Sequence, residues 1–138
     1  MRLVNTKAHA LIDYLLCILL IFSPFFFGFE SNSTAGHTCV AGGLLVLCLA
    51  LVTRFEFSLF KIVPLKAHMQ IDFVSGLLLS VSPVLFDFHK TVFKPHLVFG
   101  LTQMVIAVIT DRVLYRTFKQ SQEERMVRTR SRKDDQSN

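Results

Sequence analysis

Two short stretches of this chain carry the same pair of ionisable groups: His9 with Asp13, and His68 with Asp72. Four residues is a little over one turn of an α-helix, so each imidazole and carboxylate would project from one helical face, able to act on a single ligand or on each other. Imidazole and carboxylate together suit a divalent metal ion. Imidazole alone can ligate haem or serve a quinone or proton relay. Equally, the two pairs can satisfy one another as polar contacts between helices. Which of these chemistries is open depends on the elements that hold the pairs.

Those elements are apolar. Of the 138 residues 51% are hydrophobic, and they fall in blocks near 8–29, 37–53, 68–88 and 96–115. Each block is close to the roughly 20 residues that cross a bilayer core. Unsatisfied backbone groups are costly in hydrocarbon, and the blocks lack the alternation of barrel strands, so each is expected to be a helix. The fold class is an all-α membrane protein with four transmembrane helices. A cleaved signal peptide fits the N-terminus poorly: Asp13 interrupts the apolar run, no small-residue cleavage site follows Phe29, and the same segment recurs later in the chain. Cys17, Cys39 and Cys48 are irregularly spaced in apolar surroundings, which favours packing over disulfides or a paired-cysteine metal motif. No glycine-rich phosphate loop or nucleophile elbow is present, so the expectation leans away from an enzyme.

The recurrence is specific. Shifted by 59 residues, Arg2–Phe29 lies over Lys61–Phe88 with twelve of 28 positions identical. Shared hydrophobicity would match leucines, but it would not align Lys7 with Lys66, His9 with His68, Asp13 with Asp72, or Ser23-Pro24 with Ser82-Pro83. Continued without a gap, the register sets His37 over His96 at the start of the second helix of each copy. The chain therefore reads as two helical hairpins: residues 2–54, with spans 8–29 and 37–53, and residues 68–115, with spans 68–88 and 96–115. A linker at 55–67 lies on the membrane surface, and a basic, largely disordered tail occupies 116–138. Each copy enters and leaves once, so the two hairpins are like-oriented, a parallel repeat about an axis along the membrane normal.

Thirteen of the fifteen Lys and Arg residues lie on one side of such a bundle, leaving Lys90 and Lys94 on the other. The positive-inside rule then places both termini in the cytoplasm. The net charge of +5 suits this topology and contact with anionic lipid head groups through Arg125, Arg128, Arg130, Arg132 and Lys133, and does not call for nucleic acid. A homo-oligomer or a membrane-complex partner stays open.

At 100° per residue His9, Asp13, Leu20, Ser23 and Phe27 share a face, as do His68, Asp72, Leu79, Ser82 and Phe86, which predicts that the first and third spans meet along these faces. Pro24 and Pro83 each remove a backbone hydrogen bond, and Ser23 and Ser82 can return one to the freed carbonyl. Ionisable groups inside a membrane need partners. Contact between the helices, His9 with Asp72 and His68 with Asp13, is the leading reading. A metal site of His9, Asp13, His68 and Asp72, a haem or redox accessory role, and a small transporter subunit are the alternatives. The residues between the two histidine levels are mostly Leu, Ile, Val and Phe, which argues against a wide pore.

The pattern H-x-x-x-D-Y followed by S-P-x-x-x-G-F from His9, and H-x-x-x-D-F followed by S-P-x-x-F-x-F from His68, resembles the SPW-repeat membrane proteins of bacteria over about residues 2–112. The likeness includes Glu56 in the linker and the stretch Pro95 to Leu101. The tryptophan of the motif is replaced by Phe25 and Val84, and Gly28 of the first copy is Asp87 in the second. The resemblance implies a two-repeat, four-helix protein of the bacterial cytoplasmic membrane and brings no activity with it.

Overall fold

The computed structural model describes residues 6–31, 33–54 and 57–136. Arg2 at the start of the repeat and residues 55 and 56 of the linker, including Glu56 of the resemblance, lie outside the described residues. The described chain is all helical: α1 Thr6–Ile21, α2 Ser23–Phe27, α3 Thr34–Val52, α4 Leu65–Leu85 and α5 Lys94–Gln136. Among the described residues there is no sheet, only a parallel bridge between Thr53 and Val63. Three helices are long and apolar enough to cross a membrane: α3, α4 and the first part of α5. The first expected span is instead divided at Phe22 into α1, 16 residues long, and the short α2.

The division falls just before a Ser-Pro pair. Pro24 has no N–H to give the carbonyl of Leu20, and the Ser23 hydroxyl donates to that carbonyl instead, at 2.7 Å. The second copy repeats the device: Ser82 donates to the carbonyl of Leu79 at 2.7 Å, although α4 runs through Pro83 without a break. Both ends then close alike, Phe29 N–H donating to the Pro24 carbonyl and Phe88 N–H to that of Pro83. The turn needs a left-handed residue, Gly28 at φ 68° and Asp87 at φ 55°. Aspartate is one of the few side chains that tolerate this region, which accounts for its standing where the first copy has glycine.

The helices pair as two hairpins, α1 with α3 and α4 with α5. Small residues set the separation. A Cβ on Gly43 would lie 2.9 Å from the backbone oxygen of Cys17, and one on Gly76 would lie 2.7 Å from that of Gly100. Helices in lipid associate by such close backbone approach because no hydrophobic force drives them together. The contacts also fix the register of the repeat. Gly43 packs on Cys17 and Ile21, and Gly100 on Gly76 and Ser80. Cys17 and Ile21 map onto Gly76 and Ser80 by the shift of 59, whereas Gly43 maps onto Gly100 by 57. The second hairpin is thus two residues shorter between its helices, and the ungapped register does not continue past that loop.

Polarity runs opposite to that of a water-soluble protein. His9, Asp13, Ser23, Thr53, His68, Asp72, Ser82, His96, Gln103 and Thr110 are all buried, while Leu15, Ile18, Val74, Leu78, Val98 and Val105 are exposed. An apolar exterior over a polar interior is stable where the surroundings are hydrocarbon. The linker folds back so that Leu59 and Phe60 N–H groups meet the Leu51 carbonyl, and Ile62 and Val63 N–H groups meet that of Val52, capping the end of α3. Residues 116–136, expected as largely disordered, continue α5 as a helix, exposed along most of 116–130. Their Gln, Glu, Arg, Lys and Met are good helix formers, so local propensity carries the helix beyond the packed bundle.

Adding one methyl group tests the hairpin contacts. Gly43→Ala is expected to lower the thermal unfolding midpoint in mild detergent by an amount equivalent to about 1–3 kcal/mol. Gly42→Ala, whose Cβ would meet only a Leu79 methyl at 3.7 Å, should leave the midpoint essentially unchanged. Equal midpoints would remove close backbone approach as the basis of α1–α3 pairing.

Candidate functional site

His9 and Asp13 lie in the first half of α1, and His68 and Asp72 at the matching level of α4. The four side chains meet at the centre of the bundle, each no more than 2% exposed. Their contacts form a closed ring of alternating nitrogen and oxygen: His9 Nε2 to Asp13 Oδ2, 3.2 Å; Asp13 Oδ2 to His68 Nε2, 3.0 Å; His68 Nε2 to Asp72 Oδ2, 2.9 Å; Asp72 Oδ2 to His9 Nε2, 3.4 Å. The two imidazole rings stand edge to face with centroids 5.3 Å apart. All four ligating atoms lie within 4.8 Å of one another.

The far nitrogens are also held. His68 Nδ1 lies 2.8 Å from Thr53 Oγ1, and His9 Nδ1 lies 3.1 Å from Thr110 Oγ1. Thr53 gives its own hydroxyl proton to the Leu49 carbonyl at 2.6 Å, so it can only accept from the ring, and His68 Nδ1 carries the proton. That leaves His68 Nε2 directed at the carboxylates. Each threonine belongs to the other repeat: Thr53, the residue that ends α3 of the first hairpin, orients the histidine of α4, and Thr110 in α5 of the second orients the histidine of α1. The carboxylates are treated unequally. Gln103 Nε2 donates to Asp72 Oδ1 at 3.3 Å and to Ser75 Oγ at 2.8 Å. In the first repeat the corresponding positions hold Val46 and Leu16.

Counting protons exposes a shortfall. A neutral imidazole whose Nδ1 holds the proton has none on Nε2, and even a charged one can point a single Nε2–H squarely at one oxygen. Two imidazoles can therefore turn at most two of the four ring contacts into good hydrogen bonds. Among the described residues only His68 Nε2 to Asp13 Oδ2 has hydrogen-bond geometry, while His9 Nε2 and Asp72 Oδ2 are buried at ion-pair distance without a directed partner. Two carboxylates facing two neutral imidazoles carry a charge of −2, which two added protons or one divalent cation would balance.

The other residues singled out in the sequence lie elsewhere. Ser23, Pro24, Ser82 and Pro83 shape the helix ends at the opposite end of the bundle, and Leu20 and Leu79 of the shared faces pack with Cys39 between the two levels. Phe27 and Phe86, assigned to the same faces, are more than half exposed. His37 is exposed, whereas His96 is fully buried against Phe88, with Nε2 donating to the Ala35 carbonyl at 3.1 Å and lying 3.2 Å from Cys39 Sγ. In the register set by the glycines the counterpart of His96 is Cys39, not His37. The three cysteines are free. Sequence reasoning missed Thr53, Thr110 and Gln103. The threonines are 57 residues apart, so a search at 59 could not pair them, but polar residues late in the second and fourth apolar blocks were a visible signal.

Thr53→Val should remove the Thr53 acceptor from the buried His68 Nδ1–H and cost about 1–3 kcal/mol of stability, read as a lower unfolding midpoint in detergent. Thr102→Val, which removes only a hydroxyl bonded within its own helix, is the comparison and should change little. A Thr53→Val protein as stable as the parent would show that this bond does not support the ring.

A family model described as the SPW repeat domain matches residues 7–110 of the chain. No curated protein and no solved structure matches it.

Proposed function

The chain belongs to the SPW repeat domain family, and from that footing we propose that it is a four-span membrane protein whose two like-oriented hairpins are clamped by one divalent metal ion bound to His9, Asp13, His68 and Asp72. The first span is α1 continued by α2, and the others are α3, α4 and the first part of α5. By the distribution of Lys and Arg both termini face the cytoplasm, and the ring lies about one helical turn inside that boundary of the bacterial cytoplasmic membrane.

The observation that carries the reading is the closed ring of four buried ligand atoms, two imidazole nitrogens and two carboxylate oxygens. Four ligands at about 2.1 Å from a common ion stand roughly 3.4 Å apart; the four nitrogen–oxygen separations are 2.9–3.4 Å and all the ligand atoms lie within 4.8 Å of one another, compact enough to converge on one ion. An ion at the centre engages all four groups at once, including His9 Nε2 and Asp72 Oδ2, and cancels the charge of the carboxylates. The threonines supply what ligating imidazoles require, a partner at the remote nitrogen that fixes ring orientation. Mixed nitrogen and oxygen donors in a compact four-fold set suit zinc. Four protein ligands with no open position make a structural rather than a catalytic centre, which agrees with a non-enzymatic protein. Haem fits poorly, because the carboxylates occupy the space around the imidazole nitrogens that a porphyrin would need. Transport along the axis is disfavoured by the packing of Leu20, Cys39 and Leu79 beyond the ring.

A second reading rests on the hydrogen bond from His68 to Asp13: the ring is a purely polar contact that shares two protons between the hairpins. Elemental analysis separates the two. The protein purified in mild detergent, loaded with zinc and desalted, should retain about one ion per chain. Asp13→Asn and the double variant His9→Ala/His68→Ala should retain none, and the parent should release its ion on acidification, because the ligands must be deprotonated to bind. No retained metal in a folded parent would leave the proton-sharing contact as the function of the ring.

A further inference from the structure

Outside the bundle centre, α4 and α5 present a second feature, a surface groove whose polarity changes along its length. Its inner part, about 510 Å³, is walled by Phe73 and Val74 of α4 and Val108 of α5 over a floor of Met69 and Ala107. It opens toward the start of α4 into a wider cradle of about 850 Å³ formed by Lys66, Arg112, Arg116 and Lys119 with the rings of Tyr115 and Phe118. Asp111 and Arg112 line both parts, so the two are continuous.

Helical spacing makes this one feature. On α4, Lys66, Gln70, Phe73 and Val74 recur at intervals of four, three and one, and on α5, Val108, Arg112, Arg116 and Lys119 recur at four, four and three. Each wall thus carries a stripe that passes from cationic at the helix boundary to apolar one to two turns further in. The amides at the start of α4, which no side chain caps, add partial positive charge at the cationic end. Four cations around one carboxylate leave an excess of positive charge at the level where the apolar spans begin.

We infer that this groove is a binding site for one anionic phospholipid, with its phosphate in the cradle and an acyl chain against Phe73, Val74 and Val108. The charge selects an anion, and the adjoining apolar groove selects an anion that carries a hydrocarbon chain. Asp111 repels the phosphate but accepts hydrogen bonds from head-group hydroxyls, so a phosphodiester bearing a polyol, such as phosphatidylglycerol, matches the cradle better than a bare phosphate. Basic pockets between membrane helices recognise anionic head groups by this chemistry. The site stands apart from the proposed metal and does not depend on it.

The test is native mass spectrometry of the full chain in detergent, titrated with phosphatidylglycerol, with phosphatidylcholine of the same acyl chains, and with glycerol phosphate. Phosphatidylglycerol should bind at least about tenfold more tightly than phosphatidylcholine. Glycerol phosphate should bind measurably less well than the lipid. Arg112→Gln/Arg116→Gln/Lys119→Gln should abolish the preference, and Val108→Trp, which fills the groove and keeps every charge, should weaken phosphatidylglycerol binding. Arg125→Gln/Arg128→Gln/Arg130→Gln removes as much charge from the helix beyond the cradle and should leave the tight, phosphatidylglycerol-selective binding of one lipid unchanged, taking away at most the weak head-group contacts expected of the tail. Equal losses in the two triple variants would overturn the proposal in favour of diffuse attraction. Equal affinity for glycerol phosphate and the lipid would overturn the part assigned to the groove.

Discussion

Ionisable groups inside an apolar bundle must be compensated by one another or by something they bind. Everything in the centre of this protein answers to that constraint. Two carboxylates and two imidazoles, costly singly in hydrocarbon, are brought to mutual distances of 2.9–3.4 Å and sealed from solvent. The hairpins supply the rigidity. Glycines at the α1–α3 and α4–α5 crossings let the backbones touch, and the threonines at the ends of these crossings reach the remote nitrogens of the histidines. A shift of one helical step in either hairpin would move a threonine away from its ring and leave a polar atom buried without a partner.

Much of this was readable from residue types and spacing. The repeated His-x-x-x-Asp, the repeated Ser-Pro and the common face of the two copies follow from period and composition, and they bring together the four residues that form the ring. Span count was less direct: the first apolar block is continuous in sequence, but its helix divides at Phe22, whereas the helix holding the matching Ser82-Pro83 pair runs through unbroken. The error past the loop was one of register. His37 and His96 are matching letters at the expected shift, yet the close contacts of Gly43 and Gly100 require a shift two residues smaller, and a linear comparison cannot register backbone contact. For the same reason Thr53 and Thr110 escaped notice, because their roles depend on reaching across to the opposite repeat.

The ring departs from symmetry in an informative way. Asp72 is gripped through its second oxygen by Gln103, with Ser75 completing the bond, whereas Val46 and Leu16 stand at the corresponding places beside Asp13. One carboxylate is therefore fixed in orientation by a polar neighbour and the other mainly by the ring itself. The ring separations follow suit: Asp72 makes both the shortest, 2.9 Å, and the longest, 3.4 Å. Duplicate scaffolds with unequal supports give a site in which the two halves need not respond alike to a bound ion.

The crossed threonine bonds make the two hairpins depend on each other. Neither hairpin contains a finished site: each contributes one His-Asp pair and the threonine that serves the other hairpin's histidine. Two identical single hairpins related by a two-fold axis would satisfy the same contacts, residue i of one meeting residue j of the other and the reverse. The geometry is that of a homodimer with its ring at the symmetry axis, here carried on one chain. On one chain the two halves can differ, and the polar brace beside Asp72, unmatched beside Asp13, is a specialisation that an obligate pair of identical chains could not acquire.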